Sequence, residues 1–163
     1  MSHTLDTLQR DTALDCEPGV IRLFGAADIG NRGMVSGWSS PEEGHTWNDG
    51  IEAIYCISVR PPLARFGLIV TGEPYVTRAR PAQELTLFGN GWRIAAWRMT
   101  ARIDTVLTVT LEPEWWFTRG GRSVMRLLFY LPNSSRPKDL NDGQDGREIG
   151  FCFRSICLRQ IPH

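Results

Sequence analysis

From Val20 onward the chain is written as short apolar runs separated by turn-forming residues. Ile51, Ala53, Tyr55, Ile57 and Val59 fall on alternate positions, the period of two that a half-buried strand shows. Ile103, Thr105, Leu107, Val109 and Leu111 repeat that alternation. Residues 20–24, 66–71, 84–88, 92–97, 124–131 and 149–158 supply further strand candidates. Pro61-Pro62, Gly72-Glu73-Pro74 and Gly120-Gly121 punctuate them. Gly89-Asn90-Gly91 predicts a tight hairpin, because Asn and Gly tolerate positive φ. Residues 25–33 and 132–147 read as loops, and no stretch carries the helical period. About eight strands with turns at short intervals predict an all-β fold, an antiparallel β-sandwich of the jelly-roll kind.

Composition agrees with one such domain. The 163 residues are 42% hydrophobic and 22% charged, with 16 glycines and 10 prolines. A chain of this size builds a full core without metals or disulfides. Residues 1–18 are polar and read as a flexible leader, leaving 19–163 as the sandwich. The formal charge is zero, and Lys138 is the only lysine among 18 basic residues. Arginine favours planar, bidentate contacts over bulk positive charge, and no basic block marks a nucleic-acid footprint. The polar start and the lack of any long apolar run predict no signal peptide and no membrane span, hence a cytoplasmic location. Cys16, Cys56, Cys152 and Cys157 form no CxxC pair and read as buried free thiols, although a Cys56–Cys152 bridge is open in an oxidising compartment.

Two segments carry the candidate chemistry. Residues 37–50 hold Trp38 and Trp47 in a turn-rich stretch with Glu42, His45, Asn48 and Asp49. An indole offers a flat apolar face to the C–H face of a sugar, and the polar groups can bond its hydroxyls. The competing expectation is that both indoles seal one end of the sandwich. In residues 136–150, Asp145 stands two before Arg147, a spacing suited to charge-assisted hydrogen bonds that organise the loop. An arginine leading into a strand needs a carboxylate, from Asp145 or from the tryptophan loop.

Gly37-Trp38-Ser39-x-Pro41-Glu42 followed by Trp47-x-Asp49-Gly50 resembles a signature of bacterial jelly-roll modules that accompany glycosyltransferases and exopolysaccharide proteins. The later Pro137, Asp142 and Asp145-x-Arg147-x-x-Gly150 resemble that family's second signature, and Phe88-Gly89-Asn90-Gly91 its central hairpin. The three matches fall in the family's order over about residues 20–160. Gly44-His45 departs from the pattern, which carries an aromatic there. The resemblance implies a carbohydrate-binding-like sandwich with no established catalytic residues. Its ligand contacts would come from Trp38, Glu42, His45, Trp47, Asn48 and Asp49, and its partner would be a glycan or a glycosyltransferase-type protein.

Other readings remain beside it. Glu42, Glu43, His45, Asp49 and Glu52 form the densest acidic cluster, and glycoside cleavage requires two carboxylates a short distance apart. No cofactor is expected. A Ca²⁺ ion could use Asp28, Asn31, Asp49 or Asp142, but no ligand spacing selects them. Trp115 and Trp116 are adjacent, so in a strand they would face opposite ways, and one could serve a protein interface or a homo-oligomer.

Overall fold

The computed structural model describes residues 13–162. Among them the short strands β1 (Leu14–Asp15), β2 (Arg22–Leu23), β3 (Met34–Ser36) and β4 (Thr46–Trp47) come first. They are followed by β5 (Glu52–Val59), β6 (Phe66–Pro74), β7 (Gln83–Gly89), β8 (Trp92–Met99) and β9 (Thr105–Leu111). A short β10 (Phe117–Arg119), then β11 (Arg122–Tyr130) and β12 (Phe151–Gln160), complete the order. The larger sheet runs β1-β5-β11-β7-β8, with β3 on β5 and β10 on β11. The smaller runs β2-β12-β6-β9, with β4 on β12. All pairs are antiparallel except β1 with β5. The chain is an all-β sandwich. Its two four-strand sets, β5-β11-β7-β8 and β4-β12-β6-β9, interleave along the chain as a jelly roll does.

The alternating positions meet between the sheets. Ala53, Tyr55, Ile57 and Val59 of β5 pack with Met125, Leu127 and Phe129 of β11 and with Leu85 and Leu87 of β7. Leu68 and Val70 of β6, Leu107 and Leu111 of β9 and Phe151 and Phe153 of β12 close the core from the other side. The hairpin forms at Asn90-Gly91, with φ of 46° and 86°. Two successive positive φ values match the twist of the flanking strands. The Asn90 amide also donates to the carbonyls of Trp115 and Val124 and accepts from the Arg126 amide, which fixes the hairpin tip against β11.

Several details differ from the sequence reading. Ile51 and Ile103 stand just outside their strands and are exposed. Trp115 lies in a 3-10 turn, Pro113–Trp115, because Pro113 has no N–H to continue the ladder of β9. That turn, not strand alternation, buries Trp116 and leaves Trp115 against Trp92. Leu14 and Cys16 fall within the expected leader, yet both are buried, and β1 pairs with β5 at Leu14↔Ile57. Two apolar side chains spaced two apart share one face of an extended segment, and here that face meets the core. Residues 1–12 of the leader lie outside the described residues.

Candidate functional site

Residues 37–50 form a loop that folds onto the end of the sandwich. Gly37 has a φ of +80°, and a Cβ on it would lie 1.8 Å from the Glu52 carbonyl oxygen. Only glycine fits that close approach. The turn sends Trp38 inward, where its indole N–H donates to the Ile54 carbonyl at 2.8 Å. Its ring centroid lies 4.8 Å from that of Phe153 and 5.8 Å from that of Phe24, with Tyr55 and Phe129 completing the cage. Trp47 is 9% exposed and stands edge-on to Tyr75 at 6.3 Å, over a small cluster with Ile149 and Cys152 on the outer side of β12.

Asn48 is wholly buried. Its amide donates to the Gly50 carbonyl and to Ser134 Oγ, and its oxygen accepts from the backbone amides of Gly150 and Phe151. The sequence reading gives Trp38, Trp47 and Asn48 ligand contacts, and the structure places all three in packing or hydrogen-bonding roles within the loop. The indoles fill apolar space, and the amide replaces missing backbone partners between two loops.

The polar residues of this loop bind each other. Arg147 Nε and Nη2 donate to Asp145, and Nη1 donates to Glu42 Oε2 at 3.3 Å. Glu42 Oε2 also meets His45 Nε2 at 3.1 Å, and His45 Nδ1 lies 3.0 Å from the Glu43 carbonyl oxygen. Asp49 Oδ1 accepts from the Glu148 amide. The hydrogen bond from Arg147 holds the Asp145 carboxyl below the usual carboxylate range. Behind the loop, burial and the hydrogen bond to Asp142 push the Tyr75 phenol up to about 12. Glu42 and Asp49 therefore have separate partners. Glu52 leaves them altogether, since its side chain lies on the outer face of the larger sheet.

The calcium candidates are equally divided. Asp28 accepts from the Gly25 amide and Asn31 donates to the Gly25 carbonyl, while Asp49 and Asp142 bond elsewhere. Among the described residues, no three His, Cys, Asp or Glu side chains come together as a metal site.

The outer face of the larger sheet offers a different site. A cleft of about 400 Å³ is lined by Glu52, Phe88, Gly91, Arg126, Leu128 and Tyr130. Register places these side chains together: Leu128 pairs with Ile54 on one side and Phe88 on the other, and Tyr130 pairs with Glu52 and Thr86. Phe88, Leu128 and Tyr130 are half-buried, so their apolar faces form the floor. Arg126 and Gly91 stand at the hairpin end, and Glu52 and Tyr130 at the other. Arg126 and Tyr130 are four positions apart on β11, about 13 Å of extended chain. The sequence did carry a signal for this face. Residues 124–131 are apolar on both sides of the alternation except at Arg126, more than a strand with one solvated face requires.

Among known protein families and curated proteins, none matches the chain. Among solved structures, a GH115 4-O-methyl-alpha-glucuronidase with specificity for decorated arabinogalactans superposes with a TM-score of 0.52 at 8% identity. The match covers 90% of this chain but only 18% of that enzyme. A CBM36 carbohydrate-binding module, solved with calcium and xylotriose, superposes more loosely, with a TM-score of 0.41 at 15% identity over 74% of this chain and 83% of that one. The likeness is one of fold. No helix in the described residues is long and apolar enough to cross a membrane.

Proposed function

We propose that the chain is a non-catalytic glycan-binding module whose ligand lies along the outer face of the larger sheet. One observation carries this reading: an open cleft with Phe88, Leu128 and Tyr130 as its floor and single polar groups, Arg126 and Glu52, toward its ends. Sugar rings present C–H faces to aromatic side chains and hydroxyls to the polar rim, and a site that binds them combines both. The cleft follows a strand, so it suits a short oligosaccharide better than one ring. The resemblance of the loop signatures to jelly-roll modules of polysaccharide enzymes supports the same reading, with a glycosyltransferase as the natural companion. Four buried free thiols suit a reducing compartment.

Titration calorimetry with a panel of oligosaccharides tests the proposal. The expected Kd is on the order of 0.1–1 mM, about 4–5.5 kcal/mol. Tyr130→Ala is expected to weaken binding at least about tenfold, or about 1.4 kcal/mol, without moving the melting temperature by more than a few degrees. Silence across the panel would remove the proposal.

A second reading, an assembly surface, rests on Trp92. Its ring is 56% exposed and stacks on Trp115 at 6.4 Å. A concentration-dependent dimer in light scattering, abolished by Trp92→Ser, is the outcome that reading requires.

A further inference from the structure

We infer that the glycan taken by this cleft carries a carboxylate, as a uronic-acid residue does, and that Arg126 is the group that reads it. The inference rests on the glycan-binding reading above and goes further by naming the ligand's charge.

Charge on this face is sorted along the strands. Arg126 lines the cleft at the hairpin end, and Glu52 lines it at the opposite end. Arg93 stands in register with Phe88 on the neighbouring β8, beside the same end of the cleft. Among the described residues, neither Arg126 nor Arg93 makes a side-chain hydrogen bond or an ion pair. That sets them apart from Arg65, Arg102, Arg122, Arg147 and Arg154, each of which meets a carboxylate. Those five arginines hold the fold through an acid, and Arg80 does so through Ser135 Oγ. At the mouth of the cleft the described residues supply no such partner.

The position is also chemically apt. Arg126 is exposed at the end of an apolar floor, so a carboxylate on a ligand seated along that floor reaches its guanidinium directly. Its planar fork accepts a carboxylate bidentately. Asn90 holds the backbone of Arg126 at the hairpin tip, since the Arg126 amide donates to Asn90 Oδ1 and the Asn90 amide donates to the Arg126 carbonyl. The stem of the side chain therefore starts from a fixed point. Gly91 lines the cleft beside it, and no atom lies within 4 Å of where its Cβ would be, so the approach is open. Glu52 at the far end repels a second carboxylate placed there, which favours one acidic unit at the hairpin end and neutral units toward Tyr130.

The test compares oligosaccharides from alginate, pectin and glucuronoxylan with the same oligosaccharides after their carboxyl groups are reduced to alcohols. Binding to the wild-type chain and to Arg126→Gln is followed by calorimetry at low and moderate salt. At least one acidic member is expected to bind ten times or more tighter than its reduced twin. Arg126→Gln is expected to erase that difference while keeping the weaker binding of the reduced form and the wild-type melting temperature. Equal binding of the twins would overturn the inference and leave the glycan reading standing. An acid preference that survives Arg126→Gln would overturn the assignment to Arg126. No binding by either set, or by neutral glycans, would end the glycan reading and this inference with it.

Discussion

Arg147 reaches back across 105 residues to place Nη1 3.3 Å from Glu42 Oε2, while the rest of its guanidinium grips Asp145. This contact ties the loop before β5 to the loop before β12. It makes residues 37–50 and 136–150, far apart in the chain, the halves of one clasp. Arg147→Ala is expected to lower stability by about 1–2 kcal/mol, a value held down by partial exposure. That corresponds to roughly 3–6 °C in Tm. A double-mutant cycle with Glu42→Gln, read by thermal unfolding, should return a coupling energy above zero. Full additivity would mean that the clasp is incidental.

Acid should loosen the same clasp. The Arg147 hydrogen bond holds Asp145 below its ordinary value of 3.8, and Arg122 does the same for Asp15. A carboxyl depressed in the folded state stabilises above its unfolded value, and that contribution fades as pH falls through the folded value. Stability from these pairs is therefore complete above about pH 5 and declines below about pH 4. Melting temperatures measured from pH 7 to pH 3 should fall less steeply for Asp145→Asn than for the wild type. Parallel curves would remove Asp145 from the acid response.

Asn48 is a structural residue on this account. Asn48→Ala leaves the buried amides of Gly150 and Phe151 without their partner and should cost on the order of 3 kcal/mol, about 10 °C in Tm. Glycan affinity, measured below the melting range, should stay within about twofold, or about 0.4 kcal/mol. A large loss of affinity with an intact melt would return Asn48 to the binding site.

Gly37 and Gly121 offer a paired test of close approach. Both have positive φ, at +80° and +74°, but only Gly37 has backbone where a Cβ would be. Gly121→Ala should cost about 1–2 kcal/mol for its left-handed conformation alone. Gly37→Ala should cost on the order of 4 kcal/mol or more, or prevent folding. Chemical denaturation of the two variants separates these outcomes, and similar costs would contradict the geometry.

How far the sequence reveals this molecule depends on what each residue faces. The strands are legible because alternation is a local signal: Tyr55 and Ile57 point inward simply because they stand two apart. The hairpin is legible because Asn90-Gly91 has few other uses. The role of Trp38 is not, since the same indole can stack on a sugar or fill the space between Phe24 and Phe153. The inward turn at Gly37 places the ring in that space, and that turn depends on Glu52 passing beside it, which no local pattern records. The cleft is harder still. Phe88, Leu128 and Tyr130 come from two strands, and their meeting depends on the register of β7 against β11, which periodicity does not contain.

On the proposed function, ligand lies on the outer face of the larger sheet and not at the tryptophan loop. Amide chemical-shift mapping during oligosaccharide titration distinguishes the two locations. Shifts are expected to gather at Phe88, Gly91, Arg126, Leu128 and Tyr130 while the indole signals of Trp38 and Trp47 stay still. Shifts centred on Trp38, Glu42, His45 and Trp47, with a silent sheet face, would contradict that placement.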